Sequence, residues 1–166
     1  MDPGRVPASA AVGPQQARAW RSLLKDMRQA LLSEIGARSI YDHLSRRVQD
    51  PELRSLLVHL NQEGVLGVER LRELMRGLGG RPRRTSFRRR AMARALCASS
   101  RVVGVRTVLR VCAHAEETVS RWYAEYSAFF MRSGDRERAH AFGRMSIEKQ
   151  IRARALGAWV TNLRRR

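Results

Sequence analysis

The 166-residue sequence predicts an all-α fold, an antiparallel four-helix bundle made of two helical hairpins. Apolar residues recur at intervals of three and four, which is the spacing of one helix face, and the alternating runs typical of strands are missing. Turn signals divide this pattern at Asp50-Pro51 and at Ser133-Gly134-Asp135. At this length and with 43% hydrophobic residues, the chain is expected to form one domain with a substantial core.

Strong local signals define the first hairpin. Helix 1 is predicted over residues 16–48, behind a flexible tail at residues 1–16 that contains three prolines. Asp50 can accept hydrogen bonds from the free amides of helix 2, and Pro51 has the backbone angle that suits a first helical position. Helix 2 is therefore predicted over residues 51–78, where a Gly-Gly pair ends it.

A basic crossover segment at residues 79–100 precedes the second hairpin. Its seven arginines are Arg81, Arg83, Arg84, Arg88, Arg89, Arg90 and Arg94. We expect an extra short basic helix here and a break near Ser99 or Gly104, so that helix 3 spans about residues 102–131 and helix 4 about residues 136–163. The resulting domain boundaries are a tail at residues 1–16, a bundle at residues 17–163 and a basic end at residues 164–166.

An acidic and aromatic pattern occurs twice along the chain. Its first copy is Glu34, Tyr41, Asp50 and Glu63, and its second copy is Glu116, Tyr123, Asp135 and Glu148. The Glu-to-Tyr and Asp-to-Glu spacings are the same in both copies, while the Tyr-to-Asp spacing differs as a loop insertion would make it differ. A duplicated hairpin with an acidic residue on each helix predicts four carboxylates at one bundle centre, which is how such bundles hold two metal ions.

The histidines of a two-metal centre are missing. Two of the four helices would each carry Glu-x-x-His, but the third residue after Glu63 is Leu66 and the third after Glu148 is Ile151. Neither side chain can bind a metal, and both are expected to narrow the space for one. We therefore predict a degenerate metal centre without a cofactor, or with iron or manganese if the carboxylates suffice.

Cations and hydroxyl groups are expected around these carboxylates. Arg38 and Arg152 each lie four residues after a glutamate of the pattern, so their guanidinium groups either replace metal as the counter-charge or form solvated surface pairs. His59 lies one turn before the second glutamate and is either a substitute ligand or a core or rim residue. Tyr41 and Tyr123 occupy matched positions, where a buried hydroxyl needs a partner such as a carboxylate.

Several motifs resemble those of a known family. Residues 34–41 (Glu-Ile-Gly-Ala-Arg-Ser-Ile-Tyr) resemble the first motif of the ferritin-like diiron carboxylate superfamily, and more narrowly that of its demethoxyubiquinone hydroxylase branch. Residues 50–53 followed by Glu63, the Arg-Pro step at 81–82, and residues 115–117 leading to Tyr123 are similar to later motifs of that branch. The likeness covers about residues 20–160.

This resemblance implies a ferritin-like bundle and a di-iron monooxygenase that hydroxylates a quinone intermediate at a membrane surface. The positions that match the family's carboxylate ligands are Glu34, Glu63, Glu116 and Glu148. Leu66 and Ile151 occupy the positions of the family's histidine ligands but cannot bind a metal. The resemblance therefore supports the fold more strongly than it supports the activity.

The net charge of +18 favours anionic partners. We expect an anionic membrane surface or an acidic protein, with a basic amphipathic helix over residues 88–112 meeting lipid headgroups, unless its arginines are a solvated face. Nucleic acid is a weaker candidate, since the segment has only Phe87 as a nearby aromatic residue and no recognition motif. A homodimer stays open. Two cysteines make no disulfide framework, so we expect a cytoplasmic protein, peripheral on the inner face of the membrane.

Three functions are therefore open. The leading interpretation is a non-catalytic, ferritin-like protein with a degenerate metal site that acts through binding or assembly. The alternative is an active metal-dependent oxidoreductase or monooxygenase with an all-carboxylate or His59-assisted site. A second alternative is a basic, nucleic-acid-associated ferritin-like protein. Metal content separates the first two functions, and lipid binding against DNA binding separates the partners.

Overall fold

The computed structural model describes residues 14–82 and 104–162. These residues form α1 (Pro14–Ser45), α2 (Pro51–Gly77), α3 (Val105–Arg132) and α4 (Arg136–Asn162). The predicted all-α architecture of four helices in two hairpins is confirmed, and the described residues contain no strand. Among these residues, no helical stretch combines the length and the apolar character needed to cross a bilayer.

The local signals of the sequence explain the ends of the first hairpin. The Oδ1 atom of Asp50 accepts hydrogen bonds from the amides of Glu52 and Leu53, each at 3.0 Å, so α2 begins where its cap predicts. At the other end of α2, Gly79 adopts a φ of +71°, which favours glycine. The amide of Gly80 then donates to the carbonyl of Met75 at 2.8 Å, and this closes the last turn.

In the second hairpin, α3 begins three residues later than predicted, after Gly104 with its φ of +82°. Asp135 accepts a hydrogen bond from the amide of Arg138 at 3.1 Å, and this cap agrees with the predicted start of α4. The expected extra basic helix and the arginines from Arg83 to Arg94 lie outside the described residues. Arg81 is described and exposed.

Neighbouring helices of the bundle run antiparallel. Tyr41 of α1 contacts Glu116 of α3, while Tyr123 of α3 contacts Glu34 of α1, so these two helices have opposite directions. Because each hairpin is also antiparallel, α2 and α3 run in the same direction. The end of α2 and the beginning of α3 therefore lie at opposite ends of a bundle that is about 40 Å long for helices of this length.

The apolar core has two parts with a polar layer between them. One cluster surrounds the beginning of α1 and the end of α3, with the aromatic residues Trp20, Phe129, Phe130 and Phe142 in contact. The other cluster surrounds the end of α1 and the end of α4, with Leu44, Leu57, Leu109 and Leu156 fully buried. The buried charged side chains lie between these clusters, and they are the candidate site.

Candidate functional site

Two buried glutamates from opposite helices form the middle of the polar layer. Glu34 of α1 is 2% exposed and Glu116 of α3 is 3% exposed. The hydroxyl of Tyr41 donates to Oε1 of Glu116 at 2.6 Å, and the hydroxyl of Tyr123 donates to Oε1 of Glu34 at 3.0 Å. Each helix therefore supplies a carboxylate and, two turns later, the hydroxyl that binds the other helix's carboxylate.

A lysine bridges the two carboxylates. The Nζ atom of Lys149, on α4, lies 2.7 Å from Oε2 of Glu34 and 2.6 Å from Oε2 of Glu116. The lysine side chain is itself buried, so all three charges are removed from water. Two carboxylates alone would repel each other in such an interior, and the single ammonium group supplies a shared counter-charge.

One turn along α4, a second cation contacts the remaining acidic residue of the layer. Nε of Arg152 donates to Oε2 of Glu63 at 2.9 Å, and the arginine is buried while the glutamate is half-exposed. Burial by itself lowers the pKa of Arg152, but the negative charges of Glu116 and Glu34, and then that of the paired glutamate, raise it above its ordinary value. Arg152 is thus a permanent cation of the layer.

The two tyrosines are fixed as hydrogen-bond donors. Burial, and after it the charge of Glu116, raises the pKa of Tyr41 well above its ordinary value. Burial and then the charge of Glu34 do the same to the pKa of Tyr123. Both hydroxyls therefore keep their protons across the physiological pH range.

Glycines on α2 make room for the polar layer. Gly64 and Gly67 are buried, and they occupy the positions that correspond, in the repeat of the chain, to Lys149 and Arg152 of α4. A Cβ atom at Gly64 would lie 2.6 Å from Cγ of Arg38, whose side chain crosses the helix there. The large cationic side chains of Lys149 and Arg152 on α4 therefore correspond to glycines on α2, and the absence of side chains at these glycines leaves space in the layer.

The structure corrects the prediction that all four glutamates converge. Glu148 accepts a hydrogen bond from Arg70 at 2.9 Å, and its side chain is 38% exposed. Leu66 and Ile151 are each 59% exposed, so the expectation that they narrow the centre is wrong. Each residue advances about 100° around a helix, and these positions lie one residue away from the buried face.

The buried face of each helix follows its apolar spacing. Buried positions on α2 are Leu57, Leu60, Gly64, Gly67 and Leu71. Buried positions on α4 are Phe142, Met145, Lys149, Arg152 and Leu156. Steps of three and four through the apolar members of these rows lead to Lys149, the central residue that the carboxylate spacing missed.

Other predicted site residues lie at the edge of this arrangement. The side chain of His59 is 64% exposed, and its Nε2 atom lies 3.5 Å from Oε1 of Glu63. The other oxygen of that carboxylate, Oε2, contacts Arg152. Arg38 extends across Gly64, and its Nε atom has no hydrogen-bond partner among the described residues. Among the described residues, neither side chain forms an ion pair with Glu34 or Glu116, which are paired with Lys149.

A di-iron pair does not fit these residues. The ammonium group of Lys149 is within 2.7 Å of both buried carboxylates, so a cation already occupies the position between them. Across residues 14–82 and 104–162, no group of three or more His, Cys, Asp or Glu side chains is arranged to hold a metal ion. Comparison with protein-family models, with curated proteins and with solved structures found no match.

Proposed function

We propose that this chain is a ferritin-like bundle in which a lysine has replaced the metal ions, and that it acts through binding or assembly. The resemblance of its motifs to the demethoxyubiquinone hydroxylase branch supports membership of the ferritin-like superfamily. The helix directions support it as well, because two antiparallel hairpins with α2 and α3 in the same direction are compatible with the single long crossover of ferritin-like bundles. The proposal gives the carboxylate centre a structural role in place of oxygen chemistry.

One observation carries the proposal, the contact of Lys149 with both Glu34 and Glu116. Metal ions in such bundles neutralise carboxylates that would otherwise repel, and here a covalently attached ammonium group does so. Unlike a metal ion, the ammonium group has no open coordination position, and it cannot bind oxygen or a substrate as a Lewis acid would. The centre therefore holds α1, α3 and α4 together without a dissociable component.

The proposal is tested by the metal content of the full chain. Protein purified from cells supplemented with iron and manganese should carry well under one metal ion per chain, measured by inductively coupled plasma mass spectrometry. Two tightly held metal ions per chain would overturn the proposal, because Lys149 would then have to leave the carboxylates.

Variants with histidine at two different registers make the test sharper. Leu66→His with Ile151→His changes exposed positions and should gain no metal. Lys149→Glu with Arg152→His would place Glu-x-x-His on the buried face of α4, beside Glu34 and Glu116. If the second variant folds by circular dichroism, it should gain metal that the first lacks, and a gain by the first variant would contradict the register described above.

A further inference from the structure

Two surface clefts flank α4, and their charges differ. The cleft between α2 and α4 has a volume of about 610 Å³ and contains Arg70, Arg138 and Arg144 together with Glu73, Glu137 and Glu148. Two of these arginines form ion pairs, Arg70 with Glu148 and Arg138 with Asp135. Positive and negative side chains therefore balance within this cleft.

The cleft between α3 and α4 is about as large but carries an excess of positive charge. It has a volume of about 590 Å³, and its charged or titratable residues are Arg110, His114, Glu117, Arg121 and Arg154. In the part of the chain that the structure describes, none of these arginines forms an ion pair, and Arg121 reaches only the hydroxyl of Thr118, at 3.5 Å. Three arginines thus face one glutamate.

The register of the two helices brings the cations of this cleft together. Nε of Arg106 donates to the carbonyl of Val160 at 3.2 Å, and because α3 and α4 are antiparallel, Arg110 lies about one turn further, opposite Gly157. Arg154 lies one turn before Gly157 on α4. A Cβ atom at Gly157 would meet nothing within 4 Å, so the surface of α4 between Arg154 and the position opposite Arg110 is open.

We propose that this cleft binds a phosphate group, carried by a small molecule or by a lipid headgroup. Arginine presents a planar fork of donors that matches phosphate oxygens, and two arginines from different helices can hold one phosphate between them. Ala113 and Ala153 are the small residues of the lining, and they leave room for a phosphate group beside the guanidinium donors. The inference names a ligand class for the binding role proposed above, yet it does not depend on the metal state of the centre.

Nucleic acid fits the same cleft less well. Its lining contains no aromatic side chain on which a base could stack, and base stacking is a main source of affinity for single strands. Glu117 and Gln150 also interrupt the row of cations, whereas a groove that follows a nucleic-acid backbone is continuously basic. A single phosphate at the Gly157 end uses the observed charges without these conflicts.

The first experiment measures the affinity of the full chain for inorganic phosphate by isothermal titration calorimetry at constant ionic strength. Arg110→Gln with Arg154→Gln should weaken binding about tenfold or more, because two charge-assisted contacts are removed. A matched control, Arg132→Gln with Arg144→Gln, removes two exposed charges elsewhere and should change the affinity by less than about twofold. Equal losses in both variants would overturn the site, as would unchanged binding in the first.

A second variant separates the shape of the cleft from its charge. Gly157→Leu retains every arginine and fills the open space above the helix, where the added side chain meets no described atom at its Cβ. It should lose phosphate binding while its thermal stability is retained or raised, since leucine favours a helix more than glycine does. Normal phosphate binding by Gly157→Leu would mean that the cleft is not the site.

Vesicles identify the source of the phosphate. If it is a headgroup, the chain should sediment with phosphatidylcholine vesicles that contain phosphatidic acid, inorganic phosphate should release it, and Arg110→Gln with Arg154→Gln should prevent it. If it is soluble, the same two arginines should control calorimetric binding while vesicle binding is insensitive to them. Binding to duplex DNA that depends on these arginines, with no phosphate binding, would overturn the inference in favour of a nucleic-acid surface.

Discussion

The helix pair α1 and α3 and the helix pair α2 and α4 contribute to the same polar layer in different ways. In the first pair the two helices are equivalent, because each gives one buried glutamate and one tyrosine that donates to the other's glutamate. In the second pair they are not equivalent, because α4 gives Lys149 and Arg152 where α2 has Gly64 and Gly67. The two copies of the repeat are therefore equivalent in α1 and α3. In α2 and α4 they differ, because one copy has cationic side chains where the other has glycines.

This difference shows how a repeated hairpin can retain its fold without a symmetric site. The symmetric pair supplies two negative charges that need a counter-charge, and the asymmetric pair supplies the counter-charge from one side and the space for it from the other. A buried salt bridge is weak evidence for net stability but strong evidence of mutual dependence, since the loss of one partner leaves the others uncompensated.

The largest effect should come from the bridging lysine. Lys149→Met leaves two buried carboxylates without their cation and should lower the free energy of unfolding by about 3–5 kcal/mol in urea titrations. Lys25→Met, at the exposed lysine of α1, is the matched control and should change it by less than about 0.5 kcal/mol.

A triple variant separates lost charge pairing from lost packing. Glu34→Gln and Glu116→Gln combined with Lys149→Met remove all three charges together, and this variant should recover much of the stability that Lys149→Met loses. If Lys149→Met is as stable as Lys25→Met, the lysine does not hold the two pairs together and the comparison fails.

Alkaline pH should weaken the symmetric pair. The pKa of each of the chain's three tyrosines is raised, chiefly by burial, so the folded protein keeps these protons when the unfolded chain begins to lose them. Stability is therefore intact below about pH 10 and falls above it, by about 1.4 kcal/mol per tyrosine and pH unit until the raised pKa is passed.

The ultraviolet absorbance of tyrosinate follows this transition. In the wild type it should appear together with the loss of helical circular dichroism, and Tyr41→Phe with Tyr123→Phe should remove most of the pH dependence. Tyrosinate that forms in the fully helical protein near pH 10 would show that the two hydroxyls are not held as described.

Single tyrosine variants measure the equivalence of α1 and α3. Tyr41→Phe and Tyr123→Phe each remove one hydrogen bond to a buried carboxylate and should each cost about 1–3 kcal/mol of unfolding free energy. The shorter 2.6 Å contact of Tyr41 predicts the larger loss. Tyr126→Phe is the control with little effect, since its hydroxyl has no hydrogen-bond partner among the described residues. If only one of Tyr41→Phe and Tyr123→Phe lowered the free energy of unfolding, α1 and α3 would not be equivalent.

Alanine at the two glycines of α2 should give the smallest effects, and only Gly67→Ala should be stabilising. At Gly67 the new Cβ lies 3.8 Å from Oε2 of Glu34, an ordinary contact, so Gly67→Ala should gain up to about 1 kcal/mol from helix propensity. At Gly64 the new Cβ lies 2.6 Å from Arg38, so Gly64→Ala should lose that gain or become destabilising. Thermal unfolding of both variants decides this, and equal gains would show that Gly64 is not needed for space.

The sequence carried most of the fold but only half of the site. The ends of α2 were predictable because their causes are local, the Asp50 cap and the Gly79 turn, whereas α3 begins three residues later than predicted. Glu34 and Glu116 with their tyrosines were predictable because the repeat places them two turns apart on one face. The same repeat predicted that Glu148 points inward, and this was wrong. The apolar spacing of α4 puts its neighbour Lys149 on the buried face.

What the sequence alone determined, then, is the all-α class, the capped helix ends and the pairing of the described helices into two hairpins, since these depend on residues close in the chain. Only the tertiary structure decided that one ammonium group on α4 joins two acids that lie 115 and 33 residues away in the chain. This contact depends on how three helices pack against one another, and the spacing of residues within a single helix does not specify it.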